Sequence, residues 1–126
     1  MKQPIKTGNS PTAIGPYSQA VRAGDTLYVS GQIPLNPASM TIISEDICEQ
    51  IDQVLDNLLA ILEKAGITFD HVVKFTVYLT DLKHFSHVND LMEKRLTEPY
   101  PARAAIEVTG LPRGAQVEID AIAHIS

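Results

Sequence analysis

The residue whose type and setting most suggest chemistry is Arg103, which lies in the stretch YPARAAIEVT at residues 100–109. Ile106 and Val108 suit a pleated surface and Pro101 marks a start, so this stretch is predicted to form a strand. Three alanines surround the guanidinium, and a charge in such a crowded position needs a partner. A protein carboxylate would be a structural partner and is the more common one, whereas a ligand anion would make Arg103 a binding residue.

The last predicted strand carries candidate partners for that arginine. In QVEIDAIAHI, residues 116–125, apolar and polar residues alternate, so Glu118 and Asp120 are expected to share one face. If this strand and the strand of Arg103 form an antiparallel hairpin, the arginine and both acids share that face, although a one-residue slip would separate them. The result is either a structural salt bridge or a pocket that binds a small carboxylate and handles a water molecule.

Other polar residues give weaker signals. Ser30 belongs to no GxSxG elbow, so it is more credible as a hydrogen-bond donor to a ligand than as a nucleophile. Tyr17 follows AIGP, a rigid turn that would hold a phenol in place, although a lone tyrosine usually packs or lies on the surface. His84 and His87 stand at i, i+3 without a third ligand or an HExxH motif, so a solvated helix face is the favoured interpretation. Cys48 is interpreted as a half-buried small hydrophobic residue and not as a nucleophile.

Length, composition and net charge limit the kinds of protein that this chain can be. The chain has 126 residues and is predicted to form one domain over 1–126, with 44% apolar and 20% charged residues. Its net charge of −5 argues against binding nucleic acid through phosphates. The single cysteine excludes an internal disulfide and fits a reducing compartment. No apolar signal-peptide core, membrane span or Gly-rich phosphate loop is found, so we expect a cytoplasmic protein without a nucleotide cofactor or membrane partner.

Hydrophobic periodicity and turn residues predict seven elements in the order β-β-α-β-α-β-β. The first twenty or so residues are predicted to form turns and extended segments. The predicted elements are strands at 20–23 and 27–33, a helix capped by Ser44 and closed by Lys64 and Gly66, a strand at 72–80, a helix capped by Asp81 and stopped by Pro99, and strands at 100–109 and 116–125.

This order predicts an α+β fold with a mixed sheet. Each helix joins two strands, so part of the sheet is expected to be parallel, with right-handed crossovers. Both helices would then pack on the same face. The other face carries apolar residues, so we expect other subunits to bury it.

Several motifs in this order resemble the RidA (YjgF-type) family, also named endoribonuclease L-PSP or translation inhibitor. The motifs are AIGPYSQA at 13–20, VSGQIPLNP at 29–37, DNLLAILEKAG at 56–66 before VVKFTVYLTDL at 72–82, and YPARAAIEV at 100–108 with VEIDAIA at 117–123. The resemblance runs from about residue 5 to the end of the chain.

The resemblance implies a chorismate mutase-like fold and a homotrimer whose three sheets line a central barrel. Ligand sites would lie in clefts between subunits. It also implies hydrolysis of 2-imino acids, formed from enamines such as 2-aminoacrylate, to 2-keto acids and ammonia, with no metal or organic cofactor.

Matched position by position, the resemblance makes Arg103 the clamp for the substrate carboxylate, which suits its planar fork of donors. Glu118 matches the glutamate that positions the attacking water. The positions that match other residues of the family site are Tyr17, Ser30, Gly31, Asn89 and Ala105. Ala105 stands where many family members have cysteine. The change is tolerable if only the main-chain carbonyl at this position contacts water, and it leaves more room if the thiol shapes the pocket. The segment between Asn89 and Arg103 also looks shorter than in typical members and lies near the cleft.

Two other functions are compatible with the same residues. One is a non-catalytic trimer that binds small 2-keto acids through Arg103, Tyr17 and Ser30. The other is the endoribonuclease or translation-inhibitor role named for some relatives. The net negative charge of the chain and the lack of a His-based acid/base pair both argue against this role.

Overall fold

A computed structural model describes residues 1–125 of the chain. In this part of the chain, six strands and two α-helices follow one another along the sequence. They are β1 (Lys2–Ile5), β2 (Ala20–Ala23), β3 (Thr26–Gln32), α1 (Ile47–Lys64), β4 (Val72–Leu79), α2 (Phe85–Arg95), β5 (Ala102–Glu107) and β6 (Val117–His124). The predicted α+β class and the order of the later elements are confirmed.

The strands form one mixed sheet in the order β1-β2-β3-β6-β4-β5. The strands β4 and β5 are parallel and are joined through α2, whereas every other neighbouring pair is antiparallel. Both helices cover one face, as predicted. We call this the helix face and the opposite side the open face.

The hydrophobic core lies between α1 and the central strands. The helix presents a continuous apolar stripe, which contains Ile51, Leu55, Leu58 and Leu62, all fully buried. It packs on the alternate residues of β6 and β4 that point to the helix face, namely Val117, Ile119, Ala121, Ala123, Phe75, Val77 and Leu79. This burial makes β6 and β4 the rigid centre of the sheet.

The helix starts differ slightly from the predicted caps. Asp46, rather than Ser44, caps α1 by accepting a hydrogen bond from the amide of Glu49 at 2.9 Å. Ser44 instead accepts from the amide of Asp46, so it stabilises the turn before the cap. Asp81 caps a single 3₁₀ turn at Leu82–His84 that leads into α2, and α2 itself has no side-chain cap. Lys64 and Gly66 do close α1, with Gly66 at φ 83°.

The predicted hairpin between the last two strands is wrong. The strand β4 lies between them, parallel to β5 and antiparallel to β6. Physically, β6 has an uninterrupted apolar face that can be buried against α1, which suits a central strand. The alanines and charges of β5 suit a sheet edge.

The strand β1 was missed, because its residues KQPI show no apolar alternation. It pairs along β2 with Lys2 opposite Ala23, and its residues are mostly exposed. Proline and lysine are common at such edges, where they discourage further pairing.

The open face carries both apolar and ionisable side chains. Tyr28 on β3 and Ile106 on β5 expose 52% and 46% of their surface there. Glu118 and Asp120 of β6 share this face with Tyr78 of β4. The prediction that other subunits cover the open face remains a prediction.

Candidate functional site

Arg103 points to the helix face at the edge of the sheet. Its neighbour across the parallel ladder is Phe75, which is buried in the core, so both side chains lie on the side of α2. Its Nη1 donates a hydrogen bond of 2.6 Å to the side-chain oxygen of Asn89, and its guanidinium carbon stacks 4.7 Å from the ring centre of Phe85. Residues of α2 therefore fix the direction of the guanidinium.

The partners of Arg103 are neutral. Within residues 1–125, its guanidinium forms no ion pair with a carboxylate. Asn89 accepts one of its protons and Met92 sulfur lies 3.8 Å from the same nitrogen. The structural ion pair that sequence reasoning favoured is thus not formed in this part of the chain, and the remaining donors are available to an anion.

A cleft of about 430 Å³ opens beside this guanidinium, large enough for a small ligand. Its walls combine apolar, polar and charged groups: Phe75, Asn89, Met92, Glu93, Leu96, Tyr100, Pro101 and Arg103. We call it the arginine cleft. Ala105, two residues further along β5, points to the same helix face and packs partly against the core.

Glu118 lies on the opposite face of the sheet. It stands on β6 opposite Tyr78 of β4, and its carboxylate rests against the backbone of Gly31 on β3. A methyl group on Gly31 would collide with this carboxylate, so only glycine permits the close approach. Ser30 and Gly31 sit in a register shift between Val29 and Gln32, where the ladder to β6 is interrupted.

Burial raises the pKa of Glu118 above its usual value, and the nearby negative charge of Asp120 raises it further. No group of residues 1–125 donates a hydrogen bond to the Glu118 carboxylate, and a desolvated carboxylate without donors is a stronger base than one in water. Asp120 does have a donor, the hydroxyl of Tyr78 at 3.0 Å.

A second cleft, of about 470 Å³, has Glu118 in its wall. Tyr17, Ser30, Gly31 and Arg113 line it as well. We call it the glutamate cleft. The structure therefore places four of the residues matched to the family site together here. The others lie on the opposite side of the sheet, Arg103 and Ala105 on the helix face of β5 and Asn89 on α2.

Ser30 has a different contact from the one predicted. Its hydroxyl donates to the backbone oxygen of Ser18 at 2.6 Å, so its single proton is used within the chain. The serine thereby ties β3 to the segment that carries Tyr17. Its oxygen can still accept a hydrogen bond, but the predicted donation to a ligand would require this bond to break.

Gln19, which the sequence analysis did not single out, holds the N-terminal segment at residues 7–11 in place. Gln19 is 3% exposed, and its amide nitrogen reaches the backbone oxygens of Thr7, Ser10 and Pro11 at 3.1, 3.3 and 2.8 Å. Its amide oxygen accepts from the backbone of Thr7 at 2.8 Å. A polar residue next to a predicted strand gave only a weak signal, yet its burial makes these bonds costly to lose.

The predicted shared face of Arg103 and the two acids is contradicted. Ala105 stands across from Val77 rather than Asp120, and the arginine and Glu118 point to opposite faces of the sheet. Their strands are also two interstrand spacings apart, about 10 Å. A small substrate cannot contact both side chains of one chain through the intervening strand.

Residues 1–125 contain no group of three or more His, Cys, Asp or Glu side chains placed to hold a metal ion. His84 and His87 do lie close, with ring centres 5.8 Å apart, but as a pair alone. In the same part of the chain, no helix combines the length and apolar character needed to cross a bilayer.

Comparison with known proteins places these features in a family. The model of the family described as Endoribonuclease L-PSP matches residues 7–125. The 2-iminobutanoate/2-iminopropanoate deaminase of Bos taurus is 47% identical over 119 residues, which cover 94% of this chain and 87% of the bovine protein.

Solved structures show the same fold. The crystal structure of RidA from the Antarctic bacterium Psychrobacter sp. has a TM-score of 0.94 and 47% identity, covering 98% of this chain and 99% of that one. The structure of E. coli TdcF with bound serine has a TM-score of 0.91 and 36% identity, again covering 98% of this chain and 99% of that one.

Proposed function

The chain belongs to the endoribonuclease L-PSP family, the family of RidA, and on that premise we propose that it hydrolyses 2-imino acids to 2-keto acids and ammonia. The observation that carries the proposal is Arg103, a guanidinium oriented by neutral partners and left without an ion pair in residues 1–125. The bovine relative named as a deaminase for such substrates supports the same activity.

Arg103 supplies carboxylate recognition. Two parallel N–H donors match the two oxygens of a carboxylate, and Asn89 and Phe85 hold the guanidinium before the substrate arrives. All 2-imino acids share a carboxylate next to the reacting carbon. Fixing it therefore places that carbon at a defined distance from the arginine.

Glu118 supplies the handling of water. Its carboxylate orients a water molecule toward the imine carbon and accepts a proton as the carbon–oxygen bond forms. The raised pKa of Glu118 favours this proton transfer near neutral pH. The protonated glutamate then returns the proton to the nitrogen, and ammonia leaves as the keto group forms.

The two residues must come from different copies of the chain. They lie on opposite faces of one sheet, so the proposed site joins the arginine cleft of one copy to the glutamate cleft of a neighbour. A closed ring of three copies, the homotrimer implied by the family resemblance, would form three such sites. The exposed Tyr28 and Ile106 on the open face fit burial in this assembly.

The remaining matched residues would line the joined site. Tyr17, Ser30 and Gly31 would come with Glu118 from one copy, and Asn89 and Ala105 with Arg103 from the other. Gly31 allows the glutamate to reach the site, and the alanine leaves space beside the arginine.

A binding protein for small 2-keto acids is the second candidate. The observation that favours it is the arginine cleft, in which Arg103 has no ion pair in residues 1–125 and whose walls do not include Glu118. E. coli TdcF holds serine in its structure, so a family member can retain a small carboxylate.

Release of keto acid from 2-iminobutyrate generated in situ separates the two functions. The deaminase predicts faster release with wild type, and loss of that acceleration in Arg103→Ala. The matched control is Arg22→Ala, because Arg22 forms an exposed ion pair with Asp25 away from either cleft. If wild type and Arg103→Ala release keto acid at equal rates, the deaminase proposal fails and binding becomes the better account.

A further inference from the structure

Three ionisable side chains meet on the open face where β4 and β6 pair. Glu118 and Asp120 are two residues apart on β6, so they project side by side. Tyr78 stands across from Glu118 on β4, and its hydroxyl reaches diagonally to Asp120 Oδ2 at 3.0 Å. The acid next to Glu118 thus has a fixed place, although the function proposed above gives it no role.

The tyrosine determines where the aspartate points. Burial raises the pKa of Tyr78, and the hydrogen bond and charge of Asp120 raise it further, so the phenol remains a donor at neutral pH. A hydrogen bond to a carboxylate also limits its rotation. Asp120 is therefore kept beside Glu118 instead of turning away from it.

We propose that Asp120, held by Tyr78, is a positioning residue that acts through Glu118 by strengthening it as a proton acceptor for the attacking water. This inference rests on the proposed deaminase function. Two like charges placed close together disfavour each other, and uptake of a proton by Glu118 relieves the repulsion. The effect is largest when Glu118 takes the proton of the attacking water.

The proton transfers balance around this pair. Water oxygen bonds to the carbon of the protonated imine, the C=N pair moves to nitrogen, and Glu118 takes one water proton. Glu118 then protonates the amine of the tetrahedral intermediate. The C–N bond breaks as the hydroxyl becomes a carbonyl, and the released ammonia takes the hydroxyl proton. Asp120 exchanges no proton in any step.

Other charged or titratable side chains lie on the open face or line the glutamate cleft. Tyr17 and Arg113 line the glutamate cleft, and Arg113 donates from Nη1 to the backbone oxygen of Met40 at 2.9 Å. Lys74 of β4, Tyr28 of β3 and His124 lie on the same face beyond Asp120. The pKa of Glu118 is raised first by burial and then by the negative charge of Asp120.

The direct test is a titration of the Glu118 side-chain carboxyl by ¹³C NMR in the intact protein. In Asp120→Asn the midpoint of Glu118 should move to lower pH, because the neighbouring negative charge is gone while the side-chain shape is kept. Tyr78→Phe should shift it in the same direction by less, and it serves as the second variant if Asp120→Asn does not fold. Asp25→Asn, which removes an exposed acid at the β2–β3 turn, should leave it unchanged.

The same variants are then measured for imine hydrolysis across pH. Asp120→Asn should move the acidic limb of the kcat profile to lower pH and reduce the plateau about threefold to tenfold, because the base is weaker. A merely structural aspartate would lower the amount of folded enzyme without moving the limb.

The outcomes are distinguishable. An unchanged Glu118 titration in both variants overturns the role of Asp120, even if the protein is an active deaminase. A shifted titration with an unshifted kcat profile also overturns it. Absence of imine hydrolysis in wild type overturns the proposed function, and the role of Asp120 with it, whatever the titration shows.

Discussion

The arginine cleft and the glutamate cleft are built in opposite ways. Arg103 is oriented by side chains of α2: Asn89 accepts its hydrogen bond at 2.6 Å, and the ring centre of Phe85 lies 4.7 Å from its guanidinium carbon. The position of Glu118 depends on the lack of a side chain on Gly31, which leaves space for its carboxylate. No group of residues 1–125 donates a hydrogen bond to that carboxylate. The arginine cleft is suited to binding an anion, and the glutamate cleft to taking up and releasing a proton. The two clefts therefore suit substrate binding and proton transfer, respectively.

Removing Glu118 should separate these two tasks most strongly. In Glu118→Ala, kcat for 2-iminobutyrate should fall roughly 10²- to 10⁴-fold, which is the usual contribution of a general base. Binding of the product 2-ketobutyrate should change little, because Arg103 is intact. Steady-state kinetics and calorimetric titration of the keto acid measure the two effects. Full activity in this variant would remove the glutamate from the mechanism.

Gly31→Ala tests the glutamate cleft without touching its charge. The new methyl group would displace the Glu118 carboxylate, and a shift of about 1 Å in a reacting group can reduce rates by up to about 100-fold. The displaced atoms are the end of a flexible side chain, so thermal stability should change little. Gly8→Ala is the control, since its added carbon meets nothing within 4 Å. Wild-type kcat in Gly31→Ala would show that the position of Glu118 is not critical.

Asn89→Ala tests whether the hydrogen bond from Arg103 to Asn89 orients the guanidinium for substrate binding. Loss of the 2.6 Å bond leaves Arg103 with more freedom, so KM should rise about tenfold, equivalent to roughly 1.4 kcal/mol. The kcat should stay near wild type, because the carboxylate is still bound once substrate saturates the site. Gln53→Ala removes an amide that bonds Asn57 on α1 and is the matched control. A fall in kcat alone would contradict the binding role.

The smallest expected effect is on stability. The pKa of Glu118 is raised in the folded state, so folding favours its protonated form, and the ionised form destabilises the protein above that pKa. Glu118→Gln should therefore raise Tm by about 1–2 °C at pH 7–8, a modest gain because the group is partly exposed. The gain should vanish as pH falls through about 4, where the glutamate is protonated in both states. Equal Tm values at pH 8 would contradict this.

The sequence predicted which segments form helices and strands better than it predicted which strands pair with one another. Alternation in VEIDAIA and the apolar stripe of α1 made β6 and that helix evident, since burial on one face leaves a period in the sequence. The predicted hairpin of β5 and β6 was wrong because the loop between them, residues 108–116, turns back across the end of β4 and places β6 on the far side of that strand. Periodicity reports which face of a strand is buried, but it does not report which strand lies alongside.

The sequence singled out candidate residues for the site but did not predict their arrangement. Arg103 stood out because a charge among alanines is unusual, and Glu118 because it is one of two acids on the polar face of an alternating strand. Their placement on opposite faces depends on the position of β4, which no local pattern encodes. Gln19 was missed because a glutamine forms such bonds only through the folded path of residues 7–11.

The central claim, that one site takes Arg103 and Glu118 from different copies, is tested most directly by mixing two inactive variants. Arg103→Ala and Glu118→Ala would be unfolded together in equal amounts, refolded and assayed for imine hydrolysis. Random assembly should restore about a quarter of wild-type activity, since each site needs an intact residue from each of two copies. Mixed protein as inactive as either variant alone would contradict the claim.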